Sequence, residues 1–178
     1  MIAPEDPALP AGSPPATLEE AFRRYSRYVA SIAIRILGRA SDVDDVVQEV
    51  FIDAMSGLAG LREPAAIKGW LGTVTVRCAS RRLRRRRLRG FLGMDQAPDY
   101  ALVADTGATP EQRALLSRVY ATLDRLPVND RVAWTLRHLE DRGLEDVARM
   151  CGCSLATAKR RIAAAQSAVE RGLDHENR

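Results

Sequence analysis

An all-α fold of two small helical lobes joined by a flexible linker is the architecture this sequence predicts. Apolar residues recur at spacings of three and four along most of the chain, the period of a half-buried helix. No segment keeps the alternation of a strand. The helical pattern lapses at length over residues 90–109, which hold glycines, a proline and scattered acids without a sustained period. The 178 residues thus divide into a tail at 1–16, a lobe at 17–89, a linker at 90–109 and a second lobe at 110–173. Lobes of this size have thin cores and modest stability.

The elements follow in order. Residues 1–16 carry five of the nine prolines and read as a disordered tail. Thr17-Leu18-Glu19-Glu20 spells a capping box. Leu18, Phe22, Tyr25, Val29, Ile32 and Ile36 then form one apolar stripe, broken near Gly38. Ser41 is expected to cap the next helix, with Asp42, Asp44 and Asp45 in its first turns, where the dipole favours acids. Its expected inner side runs through Val43, Val46, Val47, Val50, Phe51, Ala54, Met55 and Leu58. Gly57, Gly60 and Pro64 mark a loop, and Ile67, Trp70, Leu71, Val74 and Cys78 share one face of a third helix.

After the linker, Thr109 and Pro110 restart a helix as cap and first residue, a position where the missing N–H of proline costs nothing. Leu115, Leu116, Val119, Tyr120, Leu123 and Leu126 form its apolar side. Pro127 and Asn129-Asp130 break it; Val132, Ala133, Leu136 and Leu139 build another, ending near Gly143. Two helices at about 144–150 and 155–171 complete the set.

The net charge is only +4, from 27 Lys plus Arg against 23 Asp plus Glu, but it is unevenly spread. Residues 77–89 read RCASRRLRRRRLR, eight arginines in thirteen with no acid. Such a run repels itself and gains most from an anionic partner. Guanidinium forks pair well with phosphate, so nucleic acid fits best, through Arg81, Arg84 and Arg85 among others. An anionic membrane surface would need an apolar insertion face, and only Leu83 and Leu88 interrupt the arginine cluster. The opposite pole, residues 41–53, holds five acids and no base. Asp45, Gln48 and Glu49 share one helical face there, either as plain solvent surface or as a patch that docks a basic protein partner.

Other function classes recede on composition. No run approaches 18 apolar residues, so no membrane insertion is expected. The N-terminus has acids and prolines where a secretory signal needs a basic start and an apolar run, and three sparse cysteines suit a reducing cytoplasm. Cys151 and Cys153 with only His138 and His175 spell no usual zinc set, so neither metal nor cofactor is expected. No nucleophile with a base and no converging acids point to catalysis, so no enzyme is expected.

Residues 144–162, LEDVARMCGCSLATAKRRI, read as a helix-turn-helix. Small Ala148 permits close approach, Gly152 four residues later sits where the turn needs a permissive backbone, and Ser154 can cap the second helix. Leu155, Ala158 and Ile162 are expected inward, leaving Thr157, Lys159, Arg160 and Arg161 for a DNA major groove.

Taken together, these segments resemble the extracytoplasmic-function (ECF) subgroup of bacterial sigma factors. Asp42-Val43-Asp44-Asp45-Val46-Val47-Gln48-Glu49-Val50-Phe51-Ile52 is similar to the family's DAEDLVQEVFL segment. Trp70-Leu71-Gly72-Thr73-Val74 resembles WLxxIAxN, Leu126-Pro127 with Val132, Leu136 and Leu139 resembles LPxxxRxxxxLRxxEGxS, and Leu144–Ile162 resembles YEEIAxxLGxSxGTVKSRL. The resemblance spans about 18–173 in the family's order and spacing.

It implies a promoter-recognition and promoter-melting subunit that binds core RNA polymerase through Asp45, Gln48 and Glu49. It implies −10 element contacts from about Leu61–Ile67 and the third helix, where Trp70, Arg77 and Ser80 lie, and −35 reading by the helix-turn-helix. It also implies an anti-sigma factor as a further partner. The alternative is a free-standing helix-turn-helix regulator, which leaves Gln48-Glu49 and the Trp70 segment unexplained. The chain departs from the pattern at Arg77 (usually Asn), Ser80 (often Asp), Ala156 (Gly), Ala158 (Val) and Arg160 (Ser).

Overall fold

A computed structural model of the chain describes residues 15, 17–58, 64–91, 100 and 108–174. Among them are seven α-helices: α1 (Leu18–Leu37), α2 (Val43–Leu58), α3 (Pro64–Phe91), α4 (Pro110–Arg125), α5 (Val128–His138), α6 (Leu144–Met150) and α7 (Leu155–Asp174). The expected tail and most of the expected linker lie outside the described residues, as does the loop at 59–63.

The caps follow the sequence in most places. The Thr17 hydroxyl accepts from the Glu20 amide at the start of α1. Thr109 and Gln112 complete a reciprocal capping box at α4, with Pro110 as first residue. Ser41 does not act as the expected cap: it lies inside a short 3-10 turn, Ala40–Asp42, that leads into α2. The arginine run continues the third helix, as its place within the first lobe implies. It is the second half of α3, a 28-residue helix of about 42 Å at 1.5 Å per residue.

Helices α1, α2 and α3 pack together, and α4–α7 form the second lobe, yet one set of buried residues runs through both. Val132, Ala133, Leu136, Val147, Ala148 and Met150 of the second lobe share a core with Ile32, Ile36, Leu71 and Val74 of the first. A smaller cluster around Tyr120, Leu123, Trp134 and Val169 closes the far side. Five residues expected inward are exposed instead: Leu18, Phe22, Met55, Leu115 and Leu155. Each sits at the edge of its stripe, where a helix turns from its neighbour toward solvent. Phe22 still meets Phe51 edge-on, with ring centroids 5.0 Å apart.

Candidate nucleic-acid interface

The arginines of α3 divide into three groups by what they touch. Arg81 and Arg82 face α2. Arg81 bridges Glu49 and Asp53, each at 2.9 Å, and Arg82 bridges Asp42 and Asp45, each at 2.7 Å. Arg77 adds a longer pair to Asp53. The acidic and basic poles of the sequence therefore partly neutralise each other. The Arg81 guanidinium, beside it, holds the Asp53 carboxyl below the usual carboxylate range. Burial pushes the neighbouring Cys78 thiol up to about 11, so it is not a reactive thiolate.

Arg86 and Arg87 form a second group and reach the other lobe. Arg86 is buried and donates to Asp124 at 2.7 Å and to the Leu37 carbonyl at 3.2 Å. Arg87 donates to the carbonyls of Leu126 and Arg125. The third group, Arg84, Arg85 and Arg89, is exposed. Arg84 bonds only the Asn129 amide oxygen, and Arg85 and Arg89 have no protein partner among the described residues. None of the three has a carboxylate partner among the described residues.

Of the residues expected at the −10 side, Trp70 is half-buried and packs its ring against Gly57 of α2. Ser80 is buried, facing the second lobe across a cavity that it lines with Arg77 and Arg84.

The helix-turn-helix forms as expected. Gly152 holds a left-handed φ of +59° in the turn, a conformation that costs glycine nothing. The Cys153 amide bonds back to the Ala148 carbonyl, and the Thr157 amide donates to the Ser154 hydroxyl, capping α7. Ala158 and Ile162 face the core. Lys159 and Arg160 point out, next to exposed Ala163 and Ala164, whose small side chains let a helix approach a groove closely. Thr157 is half-buried, and Arg161 turns toward the other lobe.

On α2, Asp45 and Gln48 are exposed and Glu49 is partly covered by its pair to Arg81. Two residues that sequence reasoning did not single out continue this face: Ile52 and Met55 are 67% and 59% exposed. Their spacing from Gln48, four and seven, was the available signal; Met55 was absorbed into the apolar reading of the helix.

Sequence reasoning also missed the clasp between the lobes. A helix leaves its last carbonyls unpaired. In α1 those of Arg35, Ile36 and Leu37 are taken by the second lobe. The Tyr120 hydroxyl donates to Arg35 at 2.6 Å, and Arg131 donates to Ile36 at 3.0 Å and Leu37 at 2.8 Å. Arg131 is 2% exposed and also pairs with Asp124. Burial and the nearby Arg86 push its pKa down to about 10, still charged at neutral pH. Gly38 makes the approach possible: at φ +71°, a Cβ there would come within 2.5 Å of Tyr120. Tyr100, from the linker, stacks on Tyr120 and donates to Asp124.

Family models described as Sigma-70 region 2 and Sigma-70 region 4 match residues 21–89 and 116–167. The ECF RNA polymerase sigma factor SigM of Mycobacterium tuberculosis is 32% identical over 160 residues, covering 89% of this chain and 78% of that one. The chain belongs to the ECF sigma factor family. The ECF RNA polymerase sigma-E factor of Escherichia coli K12 is 31% identical over 156 residues, covering 83% and 81%. The fold is similar to that of the sigma factor RpoE of Bartonella quintana, solved with the anti-sigma factor NepR. The TM-score is 0.65 at 21% identity, covering 88% of this chain and 96% of that one.

As an ECF sigma factor the chain is a promoter-recognition subunit of bacterial RNA polymerase. The region 2 match takes in the α2 face and the arginines of α3; the region 4 match takes in the helix-turn-helix. Among the described residues no three His, Cys, Asp or Glu side chains gather as a metal site, and no helix is long and apolar enough to cross a membrane.

Proposed function

We propose that this sigma factor divides its work between the lobes as follows. Residues 17–89 bind core polymerase and melt the −10 element, and residues 110–173 read the −35 element. The observation that carries this division is the presence of two basic helix faces on separate lobes. One is Arg84, Arg85 and Arg89 on α3; the other is Lys159 and Arg160 on α7. Polymerase docking uses Asp45, Gln48 and Glu49, extended by Ile52 and Met55 as apolar anchors. At the −10 element, Arg77, Arg84 and Arg85 hold phosphates, and Trp70 and Ser80 stand nearest the extruded base. Arg81 acts by positioning, since it is bound to Glu49 and Asp53. Thr157, Lys159 and Arg160 face the −35 groove, and Arg161 joins them once the lobes part.

The chain performs no catalysis of its own; the polymerase makes the phosphodiester bonds. Its place of action is the cytoplasm, where the polymerase works. A second partner is an anti-sigma factor, a reading supported by the Bartonella sigma factor solved with one.

This function requires the lobes to part. The two promoter elements lie roughly 25 base pairs apart by their names, about 85 Å at 3.4 Å per base pair. In the closed chain Arg77 and Arg161 line one cavity. Core polymerase therefore selects an opened form, with the linker spanning the gap.

The test is reconstituted transcription: purified chain, core polymerase and a pool of genomic promoter fragments, with new 5′ ends sequenced. Discrete starts that depend on the chain and share sequence at both elements are expected. DNA binding with no start and no core binding would favour a free-standing regulator.

A further inference from the structure

Between the lobes lies a cavity of about 260 Å³. Its lining comes from α3 on one side and from α5, α6, the helix-turn-helix turn and α7 on the other. Four arginines line it, Arg77, Arg84, Arg149 and Arg161, and no acid does. Arg77 and Arg149 pair with Asp53 and Asp146 beyond the lining. Arg84 and Arg161 have no carboxylate partner among the described residues. Positive charge without a full complement of acids therefore faces the cavity from both lobes.

A second observation is independent of charge. Ser80 lines the same cavity and is only 8% exposed, yet its hydroxyl makes no hydrogen bond to any described residue. The oxygen is not sealed from the cavity, so it stands open to donate to a group bound there. Beside it, Asn129 accepts from Arg84 through its amide oxygen, which leaves the amide NH₂ to donate elsewhere.

We propose that this cavity binds a small phosphate-rich anion, a pyrophosphate or triphosphate group. Guanidinium forks match phosphate oxygens in twos, and the Ser80 hydroxyl and Asn129 amide supply neutral donors between them. The volume falls below the roughly 300 Å³ at which drug-sized pockets begin, so it admits the phosphate chain of a ligand and leaves a nucleoside outside. Because the lining belongs to both lobes, the bound anion holds the chain closed. That consequence for initiation rests on the reading that the lobes part on the promoter. The binding itself does not.

The experiment is calorimetric titration of the free full-length chain, without polymerase or DNA, at matched ionic strength. The probes are pyrophosphate, tripolyphosphate, adenosine triphosphate, monophosphate and sulfate. One saturable site for the polyphosphates is expected, with monophosphate and sulfate at least tenfold weaker. Adenosine triphosphate binding as tightly as tripolyphosphate would assign the site to nucleotide phosphates; weaker binding would assign it to free polyphosphate. Ser80→Ala and Arg161→Gln should each weaken binding about tenfold or more. Ser80→Ala leaves every charge in place and removes only an unbonded hydroxyl, so the variant should keep its fold. Lys159→Gln, two residues from Arg161 and outside the cavity lining, should leave the affinity unchanged. Equal weakening by Lys159→Gln, or no effect of Ser80→Ala and Arg161→Gln, would overturn the site in favour of diffuse basic attraction. Capture of single-stranded oligonucleotide with no binding of any small polyphosphate would also overturn it. The transcription assay fails or succeeds independently of these results.

Discussion

Thr135 is fully buried in α5, and its hydroxyl has no hydrogen-bond partner among the described residues. Removing an unsatisfied hydroxyl from a core recovers its desolvation cost. Thr135→Val should therefore raise stability by about 1 kcal/mol, read as a higher urea midpoint at constant slope. Asp53 gives a pH signature of known sign. Its carboxyl is held low in the folded chain, mainly by its hydrogen bond to Arg81. Such a group stabilises the fold above its unfolded pKa, near 3.9, and the contribution disappears as pH falls through the lower folded value. The parent should exceed Asp53→Asn in stability at pH 7, and the gap should close by about pH 2–3. A gap independent of pH would mean that the carboxylate charge is not what matters there.

At the scale of elements, α3 carries two tasks on two faces. Arg81 and Arg82 secure α2, while Arg85 and Arg89 stay free of protein partners among the described residues. Replacing Arg85 and Arg89 with Gln should lower the log–log salt slope of promoter binding by about 0.9 per lost phosphate contact. An unchanged slope would take these residues off the DNA. On α2, Ile52 and Met55 form an exposed apolar extension of the Asp45–Gln48 face. Ile52→Asp should leave the thermal midpoint in place and weaken core polymerase binding at least tenfold, since buried apolar anchors dominate interfaces. Equal loss of midpoint and binding would make the residue structural.

For the whole molecule, the clasp at the end of α1 decides the resting shape. Arg131 satisfies two carbonyls of α1 and the Asp124 carboxylate while almost wholly buried. Arg131→Met leaves the Ile36 carbonyl without its donor, while the Leu37 carbonyl and Asp124 keep Arg86, a loss of about 1–3 kcal/mol. Most of it should fall on lobe association. Donor and acceptor dyes on α2 and α7 should then report separated lobes in the free variant, as the parent should report only with core polymerase bound. A parent already separated when free would contradict the closed resting form.

Much of this was legible in the sequence. Helical period, Thr17, Thr109 and Ser154 caps, and the Gly152 turn are local properties, set within a few residues by backbone sterics and hydrogen-bonding reach, and all appear where the spelling puts them. The family was legible for the same reason, since its motifs are short and ordered along the chain. The partners of each charge were not. That Arg81 faces Glu49, that Arg131 closes the end of α1, and that Met55 faces water depend on which helix lies opposite, across separations of 32 to about 95 residues for the first two. A one-dimensional pattern shows that a run of arginines must find anions. Only the packing of seven helices decides which of them find carboxylates and carbonyls inside the chain, and which stay open for phosphate.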